Sequence, residues 1–484
     1  MFLSGVALVA SLLGCGACAA QDASVLVPSD ASVVVRVNSG RILDKMGGDA
    51  FVARIMEAAG EAADGRIAEP REWGVDLDRP VYVTLSGGGE AVSVLMTMAD
   101  AGRFGSTVED MLEKKVRRRA GVACVEDDDL YVVFDSQYAV MGVAEGRHDA
   151  DMWRDVLKRG GHRGAGLATK GFARMAASDA DVVMLVSGSV ADEDEDLAVL
   201  KGFYGDDMPL EDISVVWSLV SGGGVAEMHY DVVAESDAAA RYIRENTAGV
   251  RRVAGRYADC IPASSMMVLY SAIDGERIAE MLARTGLFDK DGDSSQLRGL
   301  LSSVAGDVAL VVGSPVADGA SVSLPATLMA QVRNRSLLEF IREKVGDGLV
   351  EQTADGYVID NNGTKIWMAC RDGDMVITTI EGMASLPAAA SPSAAPCCRE
   401  GYGGLSLDVR QVMAAAGPLL GMLDSDGRVV SLLSRIESVE SIADRPDSAR
   451  CTVRLCDGCD NIYLIMAEAV DMLRATSEDD AAEE

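Results

Sequence analysis

An internal duplication is the feature that most constrains the fold of this chain, because a repeated segment is expected to fold twice in the same way. Three segments of the first half return in the same order in the second half: residues 27–42 as 261–278, residues 79–88 as 306–315, and residues 130–146 as 366–382. The last pair aligns without a gap. Three matches in one order predict two copies of one fold.

A second, shorter segment follows each copy. One begins at residues 181–187 and the other at residues 403–408, and each continues through two apolar strands into a helix. The predicted layout is therefore A-B-A′-B′. Its parts are a signal peptide with a lipobox at 1–20, unit A at 21–150, unit B at 151–255, unit A′ at 256–383, an Ala, Pro and Ser linker at 384–400, unit B′ at 401–475 and an acidic tail at 476–484.

The periodicity of the apolar residues predicts an α+β fold. Runs of β-branched residues with a period of two, such as residues 33–37 and 375–380, predict strands, and apolar stripes with a period of 3.6, such as Ile278, Met281 and Leu282, predict helices. Many strands meet at tight turns, and helices fall between strand pairs. We therefore predict duplicated units of mainly antiparallel sheet with helices packed on one face.

The charge balance argues against nucleic acid as a partner. The 484 residues carry a formal net charge of −32, whereas a nucleic-acid-binding surface is normally basic. The one basic run, residues 114–119, is expected to be the solvated end of a helix, where positive charge suits the helix dipole.

The N-terminus has the features of an export signal. About a dozen apolar or small residues precede Cys15, a length that matches the core of a signal peptide and is too short to span a bilayer. The sequence Leu-Leu-Gly at residues 12–14, followed by Cys15, resembles a lipobox, although no Lys or Arg precedes the apolar run. Cys15 is the predicted lipidation site, and Cys18 is a poorer candidate. The alternatives are a plain cleaved signal and a buried N-terminal strand.

The sequence contains no motif of a common catalytic mechanism. Its three histidines, His148, His162 and His229, do not stand at the spacing of metal ligands, and neither a nucleophile elbow nor a phosphate-binding loop occurs. No catalytic residue, metal ligand or cofactor is therefore predicted. Two carboxylates that converge in a cleft can catalyse hydrolysis, but the sequence does not show which of its 76 Asp and Glu residues converge.

The cysteines give the most pointed chemical signal. Cys456 and Cys459 form a Cys-x-x-Cys motif between a predicted strand and a predicted helix, where the helix dipole can lower a thiol pKa. We favour a structural disulfide between them, or two inert thiols, because an exported protein meets an oxidising compartment. The alternatives are a redox centre and a metal site completed by Cys397, Cys398 or Cys451.

Four segments together carry a family resemblance: the apolar leader, the opening strand at residues 27–31, the helix start at residues 38–42, and residues 74–83. They resemble a family of lipoproteins of Bacteroidetes-type bacteria that carries only a domain-of-unknown-function label. The resemblance implies an envelope lipoprotein and supplies no catalytic residue.

Taken with the leader, these features predict a lipid-anchored protein of the cell envelope, at the outer membrane on its periplasmic or surface face. We expect a non-enzymatic binding or scaffolding module, whose protein or glycan ligand the sequence does not identify. The alternative is an extracytoplasmic hydrolase that uses paired carboxylates. Because clefts between domains commonly bind ligands, we expect the functional site where the two halves meet.

Overall fold

In a computed structural model, the protein forms two compact bodies, residues 1–186 and residues 187–484. The structure describes residues 22–46, 72–86, 91–127, 130–144, 148–159, 167–190, 209–284, 294–318, 321–345, 350–361, 364–423, 427–459 and 461–465. The predicted signal peptide with Cys15 and the acidic tail lie outside these ranges. The boundary between the two bodies falls inside the segment predicted as unit B.

The first body is built on an antiparallel sheet. Its strands are β1 (Ala31–Val37), β2 (Val81–Ser86), β3 (Ala91–Thr97), β4 (Arg117–Arg119), β5 (Val122–Asp127), β6 (Leu130–Phe134), β7 (Tyr138–Ala144) and β8 (Val182–Ser187). They are ordered β8-β1-β2-β3-β7-β6-β5-β4 across the sheet. The helices of this body are α1 (Ser39–Lys45), α2 (Ala101–Leu112), α3 (His148–Lys158) and α4 (Lys170–Ala177).

Helix α2 shows how local sequence sets an element of this body. The side chain of Asp100 caps the helix, because it accepts hydrogen bonds from the backbone N–H groups of Gly102 (2.9 Å) and Arg103 (3.0 Å). Phe104 and Val108, one turn apart, are buried in a core cluster that includes strand residues of the sheet. The amphipathic pattern therefore fixes which side of the helix meets the sheet.

The helices of the first body do not share one face of the sheet, which differs from the prediction. Helix α2 packs in a cluster with Val132 and Phe134 of β6. The indole of Trp153 in α3 donates a hydrogen bond to the hydroxyl of Tyr131, which precedes Val132 in the same strand. Since neighbouring strand residues point to opposite faces, α2 and α3 cover opposite faces. Periodicity predicts that each helix has an apolar side but not which face of the sheet that side covers.

The basic run also differs from its prediction in part. Helix α2 ends at Leu112, before the basic run begins. The three arginines of the run form the exposed strand β4 (Arg117–Arg119) at the edge of the sheet. A tight turn at Ala120 and Gly121, both with positive φ, folds β4 back onto β5. Charged side chains on an edge strand protect it from pairing with other chains, so the run serves the sheet and not a helix end.

The second body contains a longer antiparallel sheet. Its strands are β9 (Ile213–Gly222), β10 (Val225–Ala234), β11 (Met267–Asp274), β12 (Val304–Val312), β15 (Ala326–Val332), β16 (Val350–Gln352), β17 (Gly356–Asn361), β18 (Thr364–Arg371), β19 (Asp374–Thr378), β20 (Gly403–Asp408), β21 (Ile436–Arg445) and β22 (Ser448–Leu455), with a separate hairpin of β13 (Val316–Asp318) and β14 (Ser321–Ser323). They are ordered β9-β10-β22-β21-β20-β11-β12-β15-β19-β18-β17-β16.

The helices of the second body are α5 (Asp237–Asn246), α6 (Gly275–Arg284), α7 (Ser294–Ser303), α8 (Ser336–Val345), α9 (Val409–Leu423) and α10 (Arg428–Leu433). Helix α8 packs through the buried Leu338 against Met368 and Met375 of the sheet. Both bodies therefore combine an antiparallel sheet with helices, which confirms the α+β class. Among the described residues, no helix is long and apolar enough to cross a membrane.

The predicted linker at residues 384–400 is exposed or half-buried over residues 384–392 and packs into the second body at its end. Ala395, Cys397 and Cys398 are buried in the same core cluster as Val268 and Met329 of the sheet. Only this end differs from the surface linker that the composition predicts, because small Ala, Ser and Pro residues suit a close-packed extended segment as well as a flexible one. Composition alone does not separate the two cases.

Asp274, at the junction of β11 and α6, forms ion pairs with more than one arginine. Its carboxylate is 5% exposed, accepts a hydrogen bond from Arg333 (3.2 Å) and is paired with Arg251. Burial by itself raises the pKa of Asp274, but the hydrogen bond from Arg333 and the charge of Arg251 outweigh it and lower the pKa below its usual range. The folded second body therefore favours the ionised carboxylate.

Candidate functional site

A cavity of about 430 Å³ lies in the second body. Its walls come from the segment before β11 (residues 260–265), the end of β12 (311–314), the start of β15 (325–329) and the turn after β19 (380–383). All of these residues belong to the predicted unit A′. The cavity thus lies inside one predicted unit, whereas we expected the site where the two halves meet.

A buried carboxylate holds the first wall in place. Asp307 of β12 is 1% exposed and accepts hydrogen bonds from the backbone N–H groups of Ala254 (3.0 Å) and Arg256 (2.8 Å) and from the hydroxyl of Tyr270 (2.7 Å). The segment that begins with these residues continues to Cys260 and Pro262, which line the cavity. Asp307 therefore positions the wall without touching the cavity.

A second carboxylate, on β19, fixes the same segment to another strand of the sheet. Asp374 accepts hydrogen bonds from the guanidinium of Arg256 (2.6 and 2.8 Å) and from the hydroxyl of Tyr257 (2.8 Å). Burial, with the hydrogen bond to Asp374 second, raises the pKa of Tyr257 well above its usual range, so this phenol stays protonated and donates. The wall is therefore fastened at two points of the sheet.

The floor of the cavity is buried and apolar. Met329 is fully buried, and Val311 is nearly so. Thr327 adds a hydroxyl that is hydrogen-bonded at 2.7 Å to the hydroxyl of Thr378. Methionine side chains are flexible and polarisable, so such a floor can adapt to apolar molecules of different shape.

The polar groups of the lining are mostly engaged by the protein itself. The hydroxyl of Ser265 donates to the carbonyl oxygen of Pro262 (2.7 Å), and the hydroxyl of Ser314 donates to the side-chain carbonyl of Gln411 (2.5 Å). Among the described residues that line the cavity, none carries a charged side chain. The site can therefore bind a molecule through apolar contact and complementary shape, but it presents few free hydrogen-bonding groups.

Cys260 is the one thiol of the lining, and it is not activated. Burial raises the pKa of Cys260, and the charges of Asp259 and Asp374 raise it further. Its sulfur makes a weak contact of 3.6 Å with the carbonyl oxygen of Leu386. Because the nucleophilic form of cysteine is the thiolate, this thiol is unsuited to covalent catalysis.

The predicted Cys-x-x-Cys pair lies elsewhere in the second body. Cys456 and Cys459 are partly exposed free thiols in a turn, where the backbone N–H of Cys459 donates to the carbonyl oxygen of Cys456 (3.1 Å). Their pairing as a disulfide stays a prediction. Cys397 and Cys398 are buried with sulfurs 4.0 Å apart. In the described ranges, no group of three or more His, Cys, Asp and Glu residues could hold a metal ion.

Three other surface depressions of the described residues are lined in part by charged side chains. One lies beside the C-terminal end of α2 and includes Glu109 and Lys115. The backbone N–H of Val116 donates to Glu109 and is the main reason why the pKa of Glu109 is lowered. A general acid at neutral pH needs a raised pKa, so Glu109 is shifted in the opposite direction.

The sequence reasoning did not find the cavity, because its lining residues form no motif. A signal was nevertheless present in the repeat alignment. Pro28 aligns with Pro262, which places Cys260 where the first copy has Leu26. In the predicted repeat, a smaller residue at an equivalent core position predicts that unit A′ is less filled there than unit A.

Comparison with known proteins gives a family but no function. The family model described as a domain of unknown function, DUF4836, matches residues 54–389. No curated protein matches the chain. Solved structures with similarity include crystal form I of TP0453 (TM-score 0.29, 10% identity, 48% of this chain and 88% of that one) and crystal form III of TP0453 (TM-score 0.29, 11% identity, 49% and 90%).

Proposed function

This chain belongs to the DUF4836 family, a family named for a domain of unknown function, and we propose that it is a non-enzymatic binding module with its ligand site in the cavity of the second body. The lining of the cavity carries the proposal. In the part of the lining that the structure describes, no side chain is charged, and burial raises the pKa of the Cys260 thiol. A site of this kind binds a molecule by shape and apolar contact but supplies no acid, base or nucleophile.

Native mass spectrometry of the full mature chain, purified from envelopes, tests the binding function. We expect a small molecule that stays bound under native conditions and is released on unfolding. Met383→Trp, which fills the rim of the cavity, should remove it, and the matched control Met228→Trp on the exposed part of β10 should not. If wild type carries nothing and gains no ligand from envelope extract, the cavity is not a binding site.

We further propose that the module is an exported lipoprotein of a Bacteroidetes-type bacterium, anchored at the outer membrane through Cys15. The lipobox-like sequence before Cys15 supports this. Cys15→Ala should move the protein from the membrane fraction to the soluble fraction, while Cys18→Ala should leave it in place. A Cys15→Ala variant that stays in membranes with unchanged mobility, without use of Cys18, would rule out the anchor.

We also propose that the two bodies contain copies of one fold. Corresponding strands have the same order, β8-β1-β2-β3-β7-β6-β5-β4 in the first and β20-β11-β12-β15-β19-β18-β17-β16 in the second. The registers correspond as well: Val34 is opposite Thr84 in the first body, as Val268 is opposite Val311 in the second. An experimental structure in which β1 and β11 held different positions in their sheets would refute the duplication.

No observation in the described residues favours the alternative hydrolase. Asp307 and Asp374, the two carboxylates that hold the cavity wall, are occupied by backbone, phenol and guanidinium donors of the protein. A carboxylate whose oxygens already accept hydrogen bonds from the protein is not positioned to contact a substrate. A turnover that depended on either residue would favour the hydrolase.

A further inference from the structure

We propose that the ligand of this cavity is an uncharged, largely hydrocarbon molecule, such as the acyl part of a neutral lipid. This inference rests on the proposed binding function and specifies its ligand class. The cavity volume of about 430 Å³ corresponds to roughly 14 water-sized volumes of about 30 Å³, so it takes on the order of a dozen non-hydrogen atoms.

Charge selection is the first argument. A carboxylate or phosphate inside the cavity would find no cationic side chain among the lining residues, and an amine would find no carboxylate. An unpaired charge removed from water costs several kcal/mol, which a site of this size cannot readily offset. The net charge of −32 adds a long-range repulsion against anions. The cavity therefore discriminates against charged analogues of its ligand.

Hydrogen bonding supports the same class. The hydroxyl groups of Thr327 and Thr378 bond to each other, and Thr378 also contacts the carbonyl oxygen of Ala326 (3.2 Å). A sugar or peptide needs several free partners when it leaves water, because each unmatched polar group costs free energy. The accessible apolar surface of Ile380 and Met383 instead favours the burial of hydrocarbon.

The first body shows the same scaffold filled by its own side chains. The pairing registers place Ser93 and Gly142 where the second body has Thr327 and Thr378. Over Gly142 lies the ring of Tyr131, whose hydroxyl is 3.0 Å from that of Ser93. Trp153 of α3 is 1% exposed and packs beside Tyr131. Its indole N–H donates a hydrogen bond of 3.1 Å to the Tyr131 hydroxyl.

In the second body this filling is reduced. The register places Trp367 where the first body has Tyr131, but Trp367 is only half-buried and does not line the cavity. The described residues 379–400 form only turns, extended segments and 3-10 helices, so no α-helix follows β19 there as α3 follows β7. Leu26, fully buried in the first body, corresponds to the smaller Cys260. The cavity thus follows from identifiable replacements at equivalent positions of one scaffold. We infer that a hydrocarbon ligand takes the volume that apolar and aromatic side chains occupy in the first copy.

A matched pair of dyes tests the ligand class on the full mature chain. N-phenyl-1-naphthylamine is uncharged, and 8-anilinonaphthalene-1-sulfonate has the same aromatic frame with one sulfonate. We expect the neutral dye to bind with enhanced fluorescence and on the order of tenfold or more tighter than the anionic dye. Cys260→Leu, which introduces the residue of the first copy, and Met383→Trp should each weaken the neutral dye by about tenfold.

Two controls separate the cavity from the rest of the surface. Met228→Trp alters an exposed apolar residue outside the cavity and should leave neutral-dye affinity unchanged. Circular dichroism verifies that each variant is folded, and if Met383→Trp is not, Cys260→Leu decides the test. A decanol titration should displace the neutral dye, whereas decanoate at pH 8 should not.

The possible failures are distinguishable. If both dyes bind equally and both are lost in the filled variants, the ligand class is wrong but the cavity is still a binding site. If a charged molecule is found in the cavity by native mass spectrometry, the inference fails in the same way. If neutral-dye binding is unchanged in both filled variants and no native ligand is found, the binding function itself is refuted.

Discussion

Replacing Asp307 tests whether one buried carboxylate holds the cavity wall. Its oxygens accept from Ala254 N–H (3.0 Å), Arg256 N–H (2.8 Å) and the Tyr270 hydroxyl (2.7 Å), and none of these donors can turn to water without opening the segment. Asp307→Ala leaves three donors unmatched at roughly 1–3 kcal/mol each, and the relief of burying a charge offsets part of this. We expect a loss of about 4 kcal/mol in the free energy of unfolding of the second body.

Asp307→Asn gives the sharper comparison, because it keeps the shape of the side chain. Its one remaining carbonyl oxygen can serve Arg256 N–H and Tyr270, while its amide nitrogen then faces the N–H of Ala254. One unmatched donor predicts a loss of about 2 kcal/mol, or roughly a 30-fold increase in the opening of this segment.

Hydrogen-exchange mass spectrometry of peptides that cover residues 251–262 measures that opening directly, and urea titration gives the global effect. The matched control is Asp372→Asn, since the side chain of Asp372 is 87% exposed and its ion pair with Arg371 is on the surface. Exchange at Ala254 that is equal in wild type and Asp307→Asn would refute the reasoning. The variant should also weaken binding of the neutral dye, because the loosened segment is a cavity wall.

Three other perturbations have defined outcomes. Gly142→Ala should destabilise the first body by about 3 kcal/mol in thermal unfolding, because the added carbon would collide with the Tyr131 hydroxyl and lie 2.8 Å from a backbone carbonyl oxygen; a change below about 1 kcal/mol would contradict this packing. Purified protein should show no insulin reduction above that of a Cys456→Ser, Cys459→Ser double variant, and dithiol activity lost in that variant would make the pair a redox centre. Since the pKa of Asp274 is lowered in the folded state, its stabilising effect is complete above the unfolded value of about 3.9 and is lost as the pH falls through the folded value. The stability difference between wild type and Asp274→Asn should therefore shrink below about pH 4 in urea titrations, and a difference that grew there would contradict the assignment.

The elements that the sequence predicted are those fixed by local periodicity. The period-two run at residues 33–37 lies in β1, and the stripe that includes Ile278 and Met281 lies in α6. The features that it missed depend on contacts between distant residues. Nothing in the local sequence of α3 shows which face of the sheet Trp153 covers, and nothing in the Ala and Pro content before Cys397 shows that this segment is buried. The cavity belongs to this second group, since it is bounded by four separate stretches of chain.

The pairing of β10 with β22 joins the two proposed B units within the second body. Met228 and Cys451 are each the fourth residue of their strand after a two-residue hairpin turn, and they stand directly opposite each other. β10 and β22, the equivalent strands of the two proposed B units, are thus related by a local two-fold axis. Two identical strand edges pair in the same way in a symmetric dimer. Each strand covers the other's exposed edge, so the contact does not depend on the interior of either A unit. Side chains such as Cys260 and Thr378 could then depart from their counterparts Leu26 and Gly142 without disturbing that contact. On this argument, substitutions that open or fill the cavity should change ligand affinity while the β10–β22 pairing persists, and amide protection in β10 is the measurement that separates the two.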